Sequence, residues 1–233
     1  MNQDQQKPLI YVIIPAFNES KSIGKVIADI PDMVSEIIVV DNASTDNTGD
    51  FAKEKGATVL RENRKGYGYS CLKGMDYISK KAKKNDIIVF LDGDYSDFPA
   101  EIELLIYPIM SSGFDMVIGS RVLGDRQKGS MLFQQIAGNW LATTLIKLFY
   151  KAHFTDLGPF RAITWNALKQ INMKDKTFGW TVEMQVKAAK HKLKFTEIPV
   201  SYRKRIGVSK VSGTIKGTIM AGYKILLTIF KNI

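Results

Sequence analysis

Three short apolar runs constrain this chain more than any other feature: LIYVII at 9–14, EIIVV at 36–40 and IIVFL at 87–91. Each is rich in β-branched residues and stops at a polar turn, namely PAFNES, DNASTDNTGD and DGDYSD. Side chains alternate between the faces of a strand, so runs apolar at nearly every position predict strands covered on both sides. Helical patterns fall between them. SKSIGKVIADI reads as an amphipathic helix, Thr48–Lys55 as a short helix ended by Gly56, and 67–84 has helical spacing. ATVL at 57–60 adds a strand, and AEIELLIYPIM and DMVIGS add a helix and a strand. Repeated strand–helix units of this kind predict an α/β, Rossmann-like fold with a mostly parallel central sheet. Ligands in such sheets bind at the carboxyl ends of the strands.

The rhythm changes after Gly119. A long helix is expected over 133–150, a strand-like segment at DLGPFRAI, a helix at 182–190 and a strand at 195–200. No repeat, heptad or low-complexity tract separates the parts. The expectation is one domain over 1–233, with a ligand-binding half at 8–119 and a completing half at 120–233. Charge divides at about the same place: residues 1–120 hold 13 basic and 18 acidic side chains, and residues 121–233 hold 20 and 5. The overall excess of +10 is therefore local, and it suits nucleic acid, an anionic membrane surface or a polyanionic ligand. The second half carries no helix-turn-helix, zinc-finger or RNA-binding signature, which argues against nucleic acid. Cys71 is the single cysteine and there are two histidines, so a disulfide scaffold and a His-rich metal cluster are excluded. Neither a signal peptide nor an apolar run of spanning length is present, so a cytoplasmic location, including the cytoplasmic face of a membrane, is expected.

The polar clusters at the strand ends are the candidate site. Pro15, Ala16, Asn18 and Glu19 follow the first strand, where Asn18 or Ser20 can also serve simply as a helix cap. Asp41 closes the second strand and can accept hydrogen bonds from a base or ribose, whereas Asp46 opens the next helix. Asp92-Gly93-Asp94 places two carboxylates two residues apart at a strand end, able to face one way. Oxygen ligands there suit Mg²⁺ or Mn²⁺ completed by a diphosphate, although Asp-Gly is also ordinary turn chemistry. Asp97 can assist or begin the following helix. No G-x-x-x-x-G-K-[ST] loop or full dinucleotide fingerprint occurs. In the basic half, Asp156, Arg161, Glu183, Arg203, Arg205 and Lys210 are the groups suited to anionic oxygens or a buried network.

Taken together, IPAFNES, VVDNASTDNT, LDGDYSDFP, DLGPFRA, FGWTVEMQVKA and EIPVSYRKRIGVSK resemble glycosyltransferase family 2, in particular its dolichyl- or polyprenyl-phosphate sugar synthases. The resemblance spans nearly all of Leu9–Gly213. It implies a GT-A fold, a nucleotide-sugar donor such as a UDP- or GDP-sugar, and a divalent metal. By that likeness Pro15, Ala16, Asn18, Glu19 and Asp41 line the nucleotide pocket together with Gly93. Asp92 and Asp94 belong to the metal site, and Arg121 lies near donor or acceptor. Asp156 and Glu183 are retained as catalytic candidates without a base assignment, with Arg203 beside them. Arg161, Arg203, Arg205 and Lys210 would meet the acceptor phosphate. The implied reaction is attack by a polyprenyl-phosphate oxygen on the anomeric carbon with inversion; the alternatives are a soluble sugar, glycolipid or protein acceptor, or a non-catalytic binding module. The sequence departs from the expected S/T-G-F-R at Leu157-Gly158-Pro159-Phe160-Arg161, where proline fixes the backbone and removes a donor. GNWLATTLIKLFYK and TIKGTIMAGYKILLTIFKNI alternate apolar residues with lysines, which suits peripheral attachment to a membrane or packing against protein.

Overall fold

The structure is a computed structural model that describes residues 7–207 and 215–232, the side chains of 215–218 excepted. Seven strands form one sheet in the order β3-β2-β1-β4-β6-β5-β7. They are β1 (Ile10–Ala16), β2 (Glu36–Asp41), β3 (Thr58–Arg61), β4 (Ile87–Phe90), β5 (Met116–Ser120), β6 (Arg161–Thr164) and β7 (Phe195–Pro199). All neighbours pair in parallel except β6, which runs antiparallel to both β4 and β5. The expected α/β class with a mostly parallel sheet is the observed one, and a single sheet joins the two halves of the chain.

The continuous apolar runs behave as alternation on two covered faces. Tyr11, Ile13, Ile38, Val40, Ile88 and Phe90 point to one core, with residues of α3 (Tyr67–Ser79), α5 (Phe133–Tyr150), α6 (Trp165–Ile171) and α7 (Trp180–Lys190). Ile10, Val12, Ile14, Val39, Ile87 and Val89 point to the other, with α1 (Ile23–Ala28) and α4 (Ile102–Ser112). Ala52 of α2 (Thr48–Glu54) joins this second layer. Burial of each such side chain contributes about 1.5–3 kcal/mol, which is why a polar residue in any of these runs would be expelled. Helix α6 was not evident in the sequence. It starts where the Thr164 hydroxyl accepts a hydrogen bond from Ala167 N at 3.2 Å, which caps a helix only seven residues long.

The two lysine-flanked helices close the fold from one side. Helix α8 (Ile215–Lys231) buries Ile229 completely, and Phe149 of α5 meets Phe230 edge-on at 5.4 Å. Other apolar residues face outwards, Phe133 at 82% and Trp140 at 67% exposure among them. Among the described residues, no helix is long and apolar enough to cross a membrane.

Strand order places the site. The chain winds outward from β1 to β2 and β3, then returns through α3 to β4 on the other side of β1. This reversal makes the carboxyl ends of β1 and β4 the topological switch point, where α/β sheets bind ligands.

Candidate active site

Asp92, Gly93 and Asp94 leave β4 at that switch point. Asp94 is almost wholly buried; its Oδ1 accepts from Ser96 N at 2.9 Å and Ser96 Oγ at 2.5 Å, and its Oδ2 meets Arg205 Nη1 at 2.9 Å. Asp92 is partly exposed, but its Oδ1 is buried without a hydrogen-bond partner, as is the nearby Tyr67 hydroxyl. Burial, together with the Asp94 charge, pushes the Asp92 carboxyl up to about 7. Asp97 lies beneath them, both oxygens buried and unpartnered, and burial with the charges of Asp92 and Asp94 drives it well above the ordinary carboxylate range. Asp92 and Asp97 thus each carry buried oxygen without a partner, whereas Asp94 is paired with Arg205. Among the described residues, no three His, Cys, Asp or Glu side chains converge into a closed metal cage. Asp92 and Asp94 nevertheless fit Mg²⁺ or Mn²⁺, which are held by one or two carboxylates plus substrate phosphates.

The neighbouring loops build the other wall. Asn18 has a left-handed φ of 55°, donates its N–H to Ser44 Oγ at 3.0 Å and accepts from Thr45 N at 2.8 Å. Glu19 N donates to Thr48 Oγ1 at 2.8 Å. These bonds tie the turn containing Pro15, Ala16, Asn18 and Glu19 to the loop after β2. Gly93 packs beside this wall, its Cβ position 3.5 Å from both Ala16 and Ile14 side chains. Asp41 is buried, pairs with Arg61 and accepts from Ser44 N at 2.9 Å, so it shapes the loop from inside. Asp46 accepts from Thr48 and from Ser20 N, the work of a helix-start residue.

The second-half candidates separate into groups at the site and groups beneath it. Arg121 and Asp156 form a buried, two-pronged pair, with Nε–Oδ2 and Nη2–Oδ1 both 2.7 Å and Arg121 N donating to Oδ2 at 2.8 Å. The guanidinium also lies 5.1 Å from the Tyr202 ring centre. With both oxygens engaged, Asp156 orients Arg121 and its own loop. Arg161 is fully buried, burial lowers its guanidinium to about 10, and it donates to the carbonyls of Thr181, Leu157 and Gly158. The Leu157–Pro159 turn is thus held by the arginine expected to read phosphate. Glu183 accepts from Lys174 N and Asp175 N and pairs with Lys187 at 2.8 Å, fixing the loop before α7. Arg203 donates to Tyr95 O at 2.7 Å and Asp97 O at 3.2 Å and lies against the rings of Tyr95 and Phe98. It clamps the Asp-Gly-Asp turn from behind. Lys210 lies outside the described residues.

Two contributors escaped the sequence reading. Tyr67 offers only a helical position in a tyrosine-rich stretch, and nothing in its spacing shows that its hydroxyl comes close to Asp92. Asn42 accepts from Gly66 N at 2.8 Å and donates to Arg64 O at 2.7 Å, joining β2 to the start of α3; its place beside Asp41 was the available signal.

The family model described as Glycosyl transferase family 2 matches residues 11–171. An uncharacterized protein of Methanocaldococcus jannaschii is 30% identical over 97% of this chain and 91% of its own length. An uncharacterized glycosyltransferase of Mycobacterium tuberculosis is 31% identical over 91% of this chain and 94% of its own. Among solved structures, glucosyl-3-phosphoglycerate synthase from M. tuberculosis, in complex with Mn²⁺, UDP and phosphoglyceric acid, overlays with a TM-score of 0.76 at 20% identity, covering 97% of this chain and 78% of that one. These complexes correct the polyprenyl-phosphate expectation. The same fold over nearly the whole chain occurs in a protein solved with phosphoglyceric acid, so the fold does not specify a lipid acceptor. The membrane partner inferred for the lysine-flanked helices falls with it, and those helices serve to close the core. Sheet order, strand-end turns and family match agree: the chain is a glycosyltransferase belonging to Glycosyl transferase family 2.

Proposed function

We propose that this enzyme transfers a sugar from a nucleotide-sugar donor, with Mg²⁺ or Mn²⁺, to a small soluble acceptor that carries phosphate. The observation that carries the reading is the pair of carboxylates Asp92 and Asp94 at the end of β4, where Asp94 faces the Arg205 guanidinium and a buried Asp92 oxygen has no hydrogen-bond partner. The solved complexes with Mn²⁺ and UDP support the donor and metal, and those with phosphoglyceric acid support the acceptor class. A divalent ion held by Asp92 and Asp94 would neutralise charge that develops on the leaving diphosphate. The chain's own contribution is positioning. Arg203 and Ser96 hold the Asp-Gly-Asp turn, while the Asn18–Ser44 and Glu19–Thr48 bonds hold the nucleotide side. Arg121, fixed by Asp156, supplies a cation whose orientation is set before substrate arrives. On the rim, Arg126, Lys128 and Lys204 have no carboxylate partner among the described residues, which suits an anionic acceptor.

The test is a donor-by-acceptor screen with UDP- and GDP-sugars, Mn²⁺ or Mg²⁺, and 3-phosphoglycerate, sugar phosphates, free sugars and polyprenyl phosphate, with products identified by mass. The reading expects a glycosylated soluble phosphate ester and loss of product on chelation. Product on the lipid phosphate alone, or full turnover in chelator, overturns it.

A further inference from the structure

Arg205 sits where a cation is needed. Its Nη1 is 2.9 Å from Asp94 Oδ2, the carboxylate oxygen that Ser96 leaves free. Its main chain is pinned on both sides: Arg203 N donates to Ser96 O at 2.9 Å and Ile206 N donates to Asp94 O at 2.9 Å. Lys204 N donates to Gln127 Oε1 at 2.8 Å, a third anchor on the same segment. The segment therefore stays against the turn while the Arg205 side chain, partly exposed, can rotate about its own bonds. The pinned neighbours contrast with it: Arg203 is committed to two carbonyls and two rings, and Arg121 to Asp156. Arg205, which also lies beside the Tyr202 hydroxyl, is the arginine of this cluster that ion-pairs with a carboxylate proposed to hold metal.

Resting on the metal and diphosphate reading above, we propose that Arg205 is an exchangeable stand-in cation: it neutralises Asp94 in the empty enzyme, releases it on metal entry, and then binds the donor's diphosphate. Two consequences follow. Competition for Asp94 weakens metal binding in the absence of nucleotide. The freed guanidinium, whose planar fork suits phosphate oxygens, strengthens nucleotide binding once metal is present. Arg205 thereby couples the two ligands, so that the donor-loaded metal site is favoured over metal alone.

The experiment measures Mn²⁺ binding by electron paramagnetic resonance, with and without UDP, in wild type, Arg205→Ala, Arg205→Gln and Arg205→Lys, with thermal melts as a folding control. The expected result is Mn²⁺ affinity about tenfold tighter in Arg205→Ala and Arg205→Gln without UDP, the scale of one charge-assisted bond removed. UDP affinity at saturating Mn²⁺ falls about tenfold in the same variants. Arg205→Lys lies between them and wild type. Mn²⁺ affinity unchanged within twofold, or weakened together with UDP affinity, overturns the exchange and leaves the metal reading standing. No Mn²⁺ binding by wild type, with or without UDP, overturns both. If Arg205→Ala does not fold, Arg205→Gln, which keeps the side chain's length, decides the question.

Discussion

Replacing Arg121 by methionine isolates what the buried Arg121–Asp156 pair does. Asp156 is fully buried and uses both oxygens on Arg121, so the variant leaves a carboxylate with one backbone N–H and no ion-pair partner, only the charge of Arg161 beyond it. Removing one partner of such a pair costs about 3–5 kcal/mol. For a chain of this size that corresponds to a melting temperature roughly 10 °C lower. In wild type, burial opposes ionisation of Asp156, but the charge and hydrogen bonds of Arg121 outweigh it and hold the carboxyl below its ordinary value. A depressed folded-state value stabilises the protein above the unfolded carboxylate value, about 3.9. That contribution is lost as pH falls through the folded value. In Arg121→Met the guanidinium's charge and its two hydrogen bonds are gone and burial weighs more, so Asp156 protonates more readily when folded, and the difference from wild type is largest at neutral pH and narrows towards pH 4. Urea unfolding at several pH values measures this directly. The double variant Arg121→Met with Asp156→Leu should recover most of the loss, because an apolar pair leaves no buried charge. A cost below about 1 kcal/mol, or one independent of pH, refutes the reasoning.

Three further outcomes follow from separate contacts. Gly68→Ala should destabilise the protein by about 1–3 kcal/mol in urea unfolding, because a Cβ there overlaps the Asp175 carbonyl, which is backbone and cannot swing away. A proton-linked titration by NMR should place the Glu62 carboxyl at about 2, held down by the side-chain hydrogen bonds of Arg64. Its contribution to stability is then present above pH 4.5 and lost as the pH falls towards 2; a titration midpoint near 4.5 contradicts the pairing. Arg203→Ala should lower the melting temperature as well as turnover, since it removes two bonds to the Tyr95 and Asp97 carbonyls. Full stability with weakened substrate use would return Arg203 to a phosphate-binding role.

Much of this architecture was legible because burial on two faces writes itself into the strands. The runs at 9–14, 36–40 and 87–91 became β1, β2 and β4, and the long helix over 133–150 is α5. What the pattern did not show was that β6 enters between β4 and β5 and runs against them, since DLGPFRAI carries no record of its partners. At the site, two carboxylates after β4 were visible from spacing alone. The direction of each arginine was not. Arg161, Arg203 and Arg205 look alike in sequence, yet one is buried on carbonyls, one clamps a turn and one meets Asp94. Residue type gives charge and donor geometry; only packing decides which oxygen a guanidinium meets. The lipid acceptor failed for a related reason, because the strand and helix pattern records a fold, and that fold also occurs in a protein solved with phosphoglyceric acid.

The central claim is that Asp92 and Asp94 form the metal and diphosphate site of a family 2 glycosyltransferase. Crystals of the wild-type enzyme grown with Mn²⁺ and UDP, with data collected at the manganese absorption edge, test it most directly. One strong anomalous peak is expected beside the Asp94 carboxylate at the end of β4, shared with the diphosphate and absent in Asp94→Asn. A manganese peak elsewhere, or UDP bound at the strand ends with no metal at these carboxylates, would contradict the claim.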